Sequence, residues 1–311
     1  MPQKSDLKGI ICAVVTPLRD GRPDLHNLQR LVTTLQGEGV DGILLLGTTG
    51  EGPSFSVAER EAIILAAKEV SDGMSVHAGT GFASLTDTID ATRRAFEIGV
   101  DSVVVIPPYY YKKVTPKGLA TFYKQVLDEA VPDDGLLMLY HIPAVVGISI
   151  TPELIDRLLE VDEKRLLGVK DSSGDLAHGQ DLCRRYPNLR IFVGTDHVLL
   201  GGLQAGAAGC ITAGANVLAP LDVQVYRTFM AGQDAAAQQA LLGAARTLLD
   251  QYQPASGMLK SLLALRFGTA GWETRPPLET ASDADRDTLV AQLSQLDLPA
   301  CMDWIRAAVQ M

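Results

Sequence analysis

The chain has 311 residues, 47% of them hydrophobic, a mean hydropathy of +0.13 and a formal net charge of −10. That is enough apolar material for one large domain or two ordinary ones. It is too acidic for nucleic acid or an anionic membrane, since the densest basic cluster is only Lys112-Lys113 with Lys117.

The predicted elements alternate short apolar runs with longer amphipathic stretches. The N-terminal segment Met1-Pro2-Gln3-Lys4-Ser5-Asp6 has no apolar targeting core, and no run of about 18 apolar residues follows, so a cytoplasmic protein is expected. Ile10–Val15 reads as the first strand, and Asp24 as the N-cap of a helix to about Glu38. Ile43–Leu46 is the second strand and runs into Gly47-Thr48-Thr49-Gly50-Glu51; Ser56 then caps a helix through Val70. Strands follow at Ser75–Ala78, Ser102–Ile106, Leu136–Tyr140, Leu166–Lys170, Arg190–Gly194 and Ala208–Thr212. Helices are expected at Ser84–Ile98, over 116–130, from Pro152, from Leu176 to Tyr186 and from about Asp196. Eight strands each followed by a helix, spaced by roughly 20–35 residues, fit a closed (β/α)8 TIM barrel. A doubly wound open sheet is the runner-up, but Val14-Val15-Thr16-Pro17 is not a phosphate-binding glycine turn. Beyond about Val217 the pattern is helical, near 218–231, 234–251, 256–267 and 284–308. The expected organisation is a barrel over 1–232 and a C-terminal helical extension over 233–311 packed on it.

In such a barrel the site gathers at the carboxyl ends of the strands. The chain has ten lysines. Lys170 is the one that ends an apolar strand, where an ammonium group is costly to bury. Lys260 instead sits in an amphipathic helical pattern with Met258, Leu259, Leu262, Leu263 and Leu265. Around Lys170 the neighbouring strand ends supply hydroxyls: Thr48 and Thr49, Tyr109 and Tyr110, Tyr140, and Thr212, with Asp196 and His197 after strand seven. Ser172 has the parity of Lys170 and could meet a substrate hydroxyl. His141 has the opposite parity to Tyr140 and is expected to face the helices or a subunit contact. One amine among several hydroxyls suits covalent amine catalysis on a carbonyl. Only about 1 in 2,500 ordinary lysines is neutral at pH 7, and burial can supply the few kcal/mol needed to change that. Hydroxyls that both donate and accept can move the protons. The cysteines Cys12, Cys183, Cys210 and Cys301 are irregularly spaced and expected to be reduced thiols, and the five scattered histidines give no ligand spacing, so neither metal nor cofactor is expected.

Gly47-Thr48-Thr49-Gly50-Glu51, Pro108-Tyr109-Tyr110, Tyr140-His141-Ile142-Pro143, Gly168-Val169-Lys170-Asp171 and Arg275-Pro276-Pro277-Leu278 together resemble the dihydrodipicolinate synthase / N-acetylneuraminate lyase family, in the same order, from about Gly9 to Leu278. The resemblance implies a barrel with a C-terminal helical extension and a homotetramer built as a dimer of dimers. It implies a Schiff base between Lys170 and pyruvate or another 2-oxo acid. Tyr140 would transfer protons near the imine, with Thr48 as its relay. Thr48 and Thr49 would bind the 2-oxo acid carboxylate, and Tyr110 would reach into a neighbouring subunit's site.

Two departures bear on the substrate. Family members that make dihydrodipicolinate carry an arginine two residues after the proline of the strand-five motif, where this chain has Val145. Losing such a charge-assisted contact weakens binding of aspartate semialdehyde by roughly 10–150-fold, so the synthase is the alternative rather than the first reading. Sialic acid lyases carry an acidic residue and a serine where this chain has His197 and Ala213. The first reading is therefore an aldolase or dehydratase acting on a 2-oxo-3-deoxy sugar acid or a 4-hydroxy-2-oxo acid. A sugar-phosphate isomerase, with Gly214-Ala215-Asn216 as backbone donors, and a non-catalytic binding barrel are the remaining alternatives.

Overall fold

Eight parallel strands close into a barrel in the computed structural model, which describes residues 3–309. They are β1 (Gly9–Ala13), β2 (Gly42–Leu45), β3 (Ser75–Gly79), β4 (Ser102–Val105), β5 (Leu137–His141), β6 (Leu166–Asp171), β7 (Arg190–Val193) and β8 (Gly209–Thr212). Each pairs with the next, and β1 closes the ring on β8 through Gly9–Gly209 to Cys12–Thr212. The strands are almost wholly buried because side chains fill the barrel on one face and helices cover the other; this is why they read as apolar runs rather than alternations. Ile11, Leu44, Val104, Met138, Tyr140, Leu167, Phe192 and Ile211 form the inner cluster, while Ile10, Ile43, Val103, Leu139, Val169, Ile191 and Cys210 face the helices.

The helices start where the sequence offers caps. Asp24, Ser56, Ser84, Thr115, Thr151 and Asp175 each accept a main-chain N–H from the first turn of α1 (Leu25–Gly37), α2 (Val57–Lys68), α3 (Leu85–Ile98), α4 (Pro116–Ala130), α5 (Pro152–Asp162) and α6 (Leu176–Arg185). After the short α7 (Leu199–Gln204) and α8 (Ala215–Met230) come α9 (Ala236–Leu249), α10 (Ala255–Phe267), α11 (Asp283–Leu293) and α12 (Asp303–Ala308). The helix expected over 284–308 is thus two helices. The first ends at Leu293 with Ser294 as its C-cap, and Pro299, which cannot continue a helix, stands as the N-cap of the 3-10 turn at Ala300–Met302 where the chain restarts. The α10 pattern is also not amphipathic: Ser256 through Leu263 are all buried, Lys260 included. Among the described residues no helix is long and apolar enough to cross a membrane.

Candidate active site

The site is set by a register irregularity in β6. Leu137 of β5 pairs with Leu166, but Met138 pairs with Gly168, so β6 carries one extra residue. A bulge of this kind re-aims every side chain beyond it. Leu167 and Gly168 lie on the inner side in succession, Val169 turns to the helices, and Lys170 turns inward beside Tyr140, its register partner. Glycine is needed at 168, since a Cβ there would lie 1.9 Å from the Arg190 carbonyl oxygen of β7.

Lys170 is 3% exposed, and its Nζ lies 4.2 Å from the centroid of the Tyr140 ring. The Tyr140 hydroxyl is 3.3 Å from Thr48 Oγ1. Burial pushes the Tyr140 phenol up, but the Lys170 charge and hydrogen bonding with Thr48, Lys170 and Ser172 outweigh it, leaving the phenol below the ordinary tyrosine range. Lys170, Tyr140, Thr48 and Ser172 are therefore one hydroxyl-and-amine group at the carboxyl end of the barrel. Chemically it offers a nucleophile and a phenol readier than usual to give up its proton.

The loop after β2 is held rigidly. Leu46 and Glu51 bracket it in the left-handed region, at φ 59° and 55°, a conformation that costs a non-glycine residue on the order of 1–3 kcal/mol. Surrounding contacts over-determine it. Thr16 Oγ1 donates to the Gly50 carbonyl at 2.8 Å, and the Glu51 N–H donates to the Thr48 carbonyl at 3.1 Å. Arg60, buried on α2, donates to the carbonyls of Gly52, Phe55 and Gly79, and burial pulls its guanidinium down to about 10. Glu51 itself is 2% exposed and forms an ion pair with Lys260 of α10, while its other oxygen accepts the Arg275 N–H at 2.9 Å. Thr48 and Thr49 thus stand on a loop fastened from the barrel and from the C-terminal helices together.

The other expected residues fall elsewhere. Thr212 shares the parity of Cys210 and turns to the helices, where Arg246 Nη1 of α9 approaches its hydroxyl at 3.4 Å. Asp196 is fully buried and paired with the same Arg246 at 2.8 Å. Beside them Asp222 of α8 is also buried; burial first, and then the charge of Asp196, push its carboxyl well above the usual range. Thr212 and Asp196, expected to meet the substrate, are thus part of a buried tie on Arg246. Tyr110 is 74% exposed and packs edge-on against Tyr111, centroids 5.2 Å apart. Val145, 59% exposed, lies on the short turn of helix Pro143–Val146, and Lys112 Nζ donates to the Val146 carbonyl there at 2.8 Å.

Directly behind the Tyr140–Lys170 pair, on the helix side, lie His141 and Asp171. His141 stacks on His178 of α6 with centroids 4.6 Å apart, and His178 Nδ1 bonds Asp171 Oδ2 at 2.9 Å. Two of the histidines expected to be scattered are thus brought together: the register of β5 with β6 sets His141 beside Asp171, and α6 returns His178 to the same carboxylate. Ligand atoms of His141, Asp171 and His178 lie within 4.8 Å of one another and could hold a cation, although the Ile150 N–H already donates to His141 Nδ1 at 3.0 Å.

Sequence reasoning missed Glu51, Arg60, Lys260 and Arg275. An acidic residue after a small-residue turn, and one lysine in the mostly apolar run from Met258 to Leu265, are the local signs. Each alone looks solvated, and only the fold shows that Lys260 and Arg275 both meet Glu51.

A closed parallel barrel presenting a buried amine and a phenol at the carboxyl ends of its strands defines a (β/α)8 lyase scaffold. The chain matches the Dihydrodipicolinate synthetase family over residues 6–296 and belongs to that family. It is 43% identical over 245 residues to an uncharacterised DapA-like lyase of Chloroflexus aurantiacus, covering 78% of this chain and 82% of that one. It is 31% identical over 299 residues to a 4-hydroxy-tetrahydrodipicolinate synthase of Geotalea uraniireducens, covering 94% and 99%. Among solved structures it resembles YagE, a prophage protein of the dihydrodipicolinic acid synthase family from E. coli K12 in complex with pyruvate. The TM-score is 0.87, with 28% identity and 94% and 99% of the two chains covered.

Proposed function

We propose that Lys170 captures pyruvate or another 2-oxo acid as a Schiff base, and that the enzyme cleaves or dehydrates a 2-oxo-3-deoxy sugar acid or a 4-hydroxy-2-oxo acid. The observation that carries this is the buried Lys170 Nζ beside Tyr140, with Thr48 on the phenol. The amine adds to the ketone carbon, and the carbinolamine loses water to give an iminium. The iminium then draws electrons from the neighbouring bond. In cleavage, the carbon–carbon bond beyond C3 breaks, its electron pair passes to an enamine, and the proton of the C4 hydroxyl goes to Tyr140. In dehydration, C3 loses a proton and the C4 hydroxyl leaves as water. After cleavage a proton delivered to C3 turns the enamine back into the iminium; Tyr140 and Thr48 carry the protons, and water hydrolyses the last imine to free Lys170.

Thr48 and Thr49, on their fastened loop, are assigned to the substrate carboxylate, and Ser172 to a substrate hydroxyl. The pyruvate held by the E. coli relative supports the 2-oxo acid. The active unit proposed is a homotetramer, a dimer of dimers, with the exposed Tyr110 offered to a neighbouring copy; Lys170 is the only covalent device and no cofactor is assigned. The second reading is 4-hydroxy-tetrahydrodipicolinate synthase, favoured by the name of the Geotalea relative. An exposed valine at 145 gives no cation for the carboxylate of aspartate semialdehyde.

A screen of 2-oxo-3-deoxy acids and 4-hydroxy-2-oxo acids, alongside condensation of pyruvate with aspartate semialdehyde, tests the assignment. Turnover of a deoxy or hydroxy acid well above the condensation is expected. The reverse ranking establishes the synthase instead.

A further inference from the structure

We infer that Lys260 and Glu51 are positioning residues, and that their buried ion pair is a link by which the C-terminal helices set the carboxylate-binding and proton-relay loop. The inference rests on the reading that Thr48 and Thr49 serve the 2-oxo acid bound at Lys170.

The path is short and continuous. Lys260, fully buried on α10, ion-pairs with Glu51, and its Nζ also donates to the Glu273 carbonyl at 2.7 Å. The other Glu51 oxygen takes the Arg275 N–H at 2.9 Å. The Glu51 main chain, in the left-handed region, donates its own N–H to the Thr48 carbonyl at 3.1 Å. Thr48 Oγ1 then meets the Tyr140 hydroxyl at 3.3 Å. Three links thus join an ammonium in the helical layer to the phenol beside the reactive amine.

Two features mark the pair as more than a tie between layers. First, it secures a residue whose backbone conformation is unfavourable, and such strain persists only where surrounding contacts enforce it. Releasing the side chain lets Glu51 relax toward ordinary φ, and the relaxation moves the adjacent Thr48 and Thr49 amides. Second, a buried pair is not needed for stability: well-packed apolar groups of similar volume hold a core as firmly or more so. What they cannot supply is a fixed direction for the carboxylate. The loop has other anchors: Thr16 and Arg60 grip the carbonyls of Gly50 and Gly52 on either side of Glu51, and the Arg275 N–H holds the second Glu51 oxygen, but Lys260 is the cation that pairs with the carboxylate.

The test uses the full-length protein and three variants, Lys260→Met, Lys260→Arg and the double variant Glu51→Gln with Lys260→Met. The double variant leaves no unpaired buried charge and is the one expected to fold normally. The readout is the pyruvate concentration that gives half-maximal trapping of Lys170 by borohydride, with the trapped fraction at saturation measured alongside. The double variant should need about 10-fold or more pyruvate for half-trapping, because small displacements of positioning groups carry penalties of that size or larger. Its trapped fraction at saturation should match the wild type, and Lys260→Arg should recover most of the loss. A folded double variant with wild-type half-trapping overturns the inference and leaves the pair a structural tie. Failure of the wild type to trap any 2-oxo acid overturns the functional reading instead, and this inference with it.

Discussion

Among the described residues two lysines are buried, one in the barrel mouth and one in the helical layer, and they differ in what faces them. Lys260 meets the Glu51 carboxylate and the Glu273 carbonyl. Lys170 meets the Tyr140 ring and hydroxyls, and among the described residues no carboxylate forms an ion pair with it. Burial lowers Lys260 below the ordinary lysine range, while Glu51 pulls it back, so its ammonium is committed to a partner. The lesson is that burial does not mark a reactive amine. An amine facing a carboxylate is a tie, and an amine facing a phenol and hydroxyls is free to act on a bound carbonyl.

Substitutions should separate the two most sharply at Lys170 itself. Lys170→Ala is expected to abolish turnover, by on the order of 10⁴-fold or more as for other covalent nucleophiles. Its melting temperature should stay near that of the wild type, because no ion pair is broken. Steady-state assays beside a thermal melt check both halves. Next, Tyr140→Phe keeps the ring under Lys170 and removes the phenol. Turnover should fall by about 10²–10⁴-fold, the usual range for a lost proton-transfer group, while borohydride still traps an adduct. Equal loss of trapping and turnover would place Tyr140 in imine formation alone.

At Lys260 the effect should appear first in stability. Lys260→Ala strands the Glu51 carboxylate in the interior, and removing one partner of a buried pair destabilises by roughly 3–5 kcal/mol. Chemical denaturation measures this, and an unchanged midpoint contradicts a buried pair. The smallest effect concerns the pair behind the site. The hydrogen bond to Asp171 raises His178 above its usual range. A raised histidine contributes stability that is full below its unfolded value and is lost as pH rises through the folded one. The melting temperature should therefore drop more on His178→Gln at about pH 6 than at about pH 9, and a pH-independent difference argues against the charged pair.

The eight strands and most helices were legible because their signals are local. Apolar runs gave the strands, and Asp24, Ser56, Ser84 and Pro152 opened the helices where the structure has them. Lys170 and Tyr140 were legible because each ends such a strand, and His141 faces the helices as its parity implies. What stayed hidden is non-local. The extra residue in β6 appears only when its register is laid against β5, so parity could not be carried from Leu167 to Lys170. Thr212 and Asp196 stand at strand ends, but Thr212 has the parity of the helix-facing Cys210, and both meet Arg246, which lies far along the chain. Lys260 looked like a solvated helix residue because Glu51, the group that allows its burial, lies far away along the chain and meets it only once the barrel has closed.

The central claim is that Lys170 forms the imine. Peptide mass spectrometry after borohydride reduction with pyruvate tests it most directly. A reduced pyruvyl group is expected on the peptide that contains Lys170, absent from Lys170→Ala and absent from the peptide that contains Lys260. A reduced adduct on another lysine, or none with pyruvate or any larger 2-oxo acid, contradicts it.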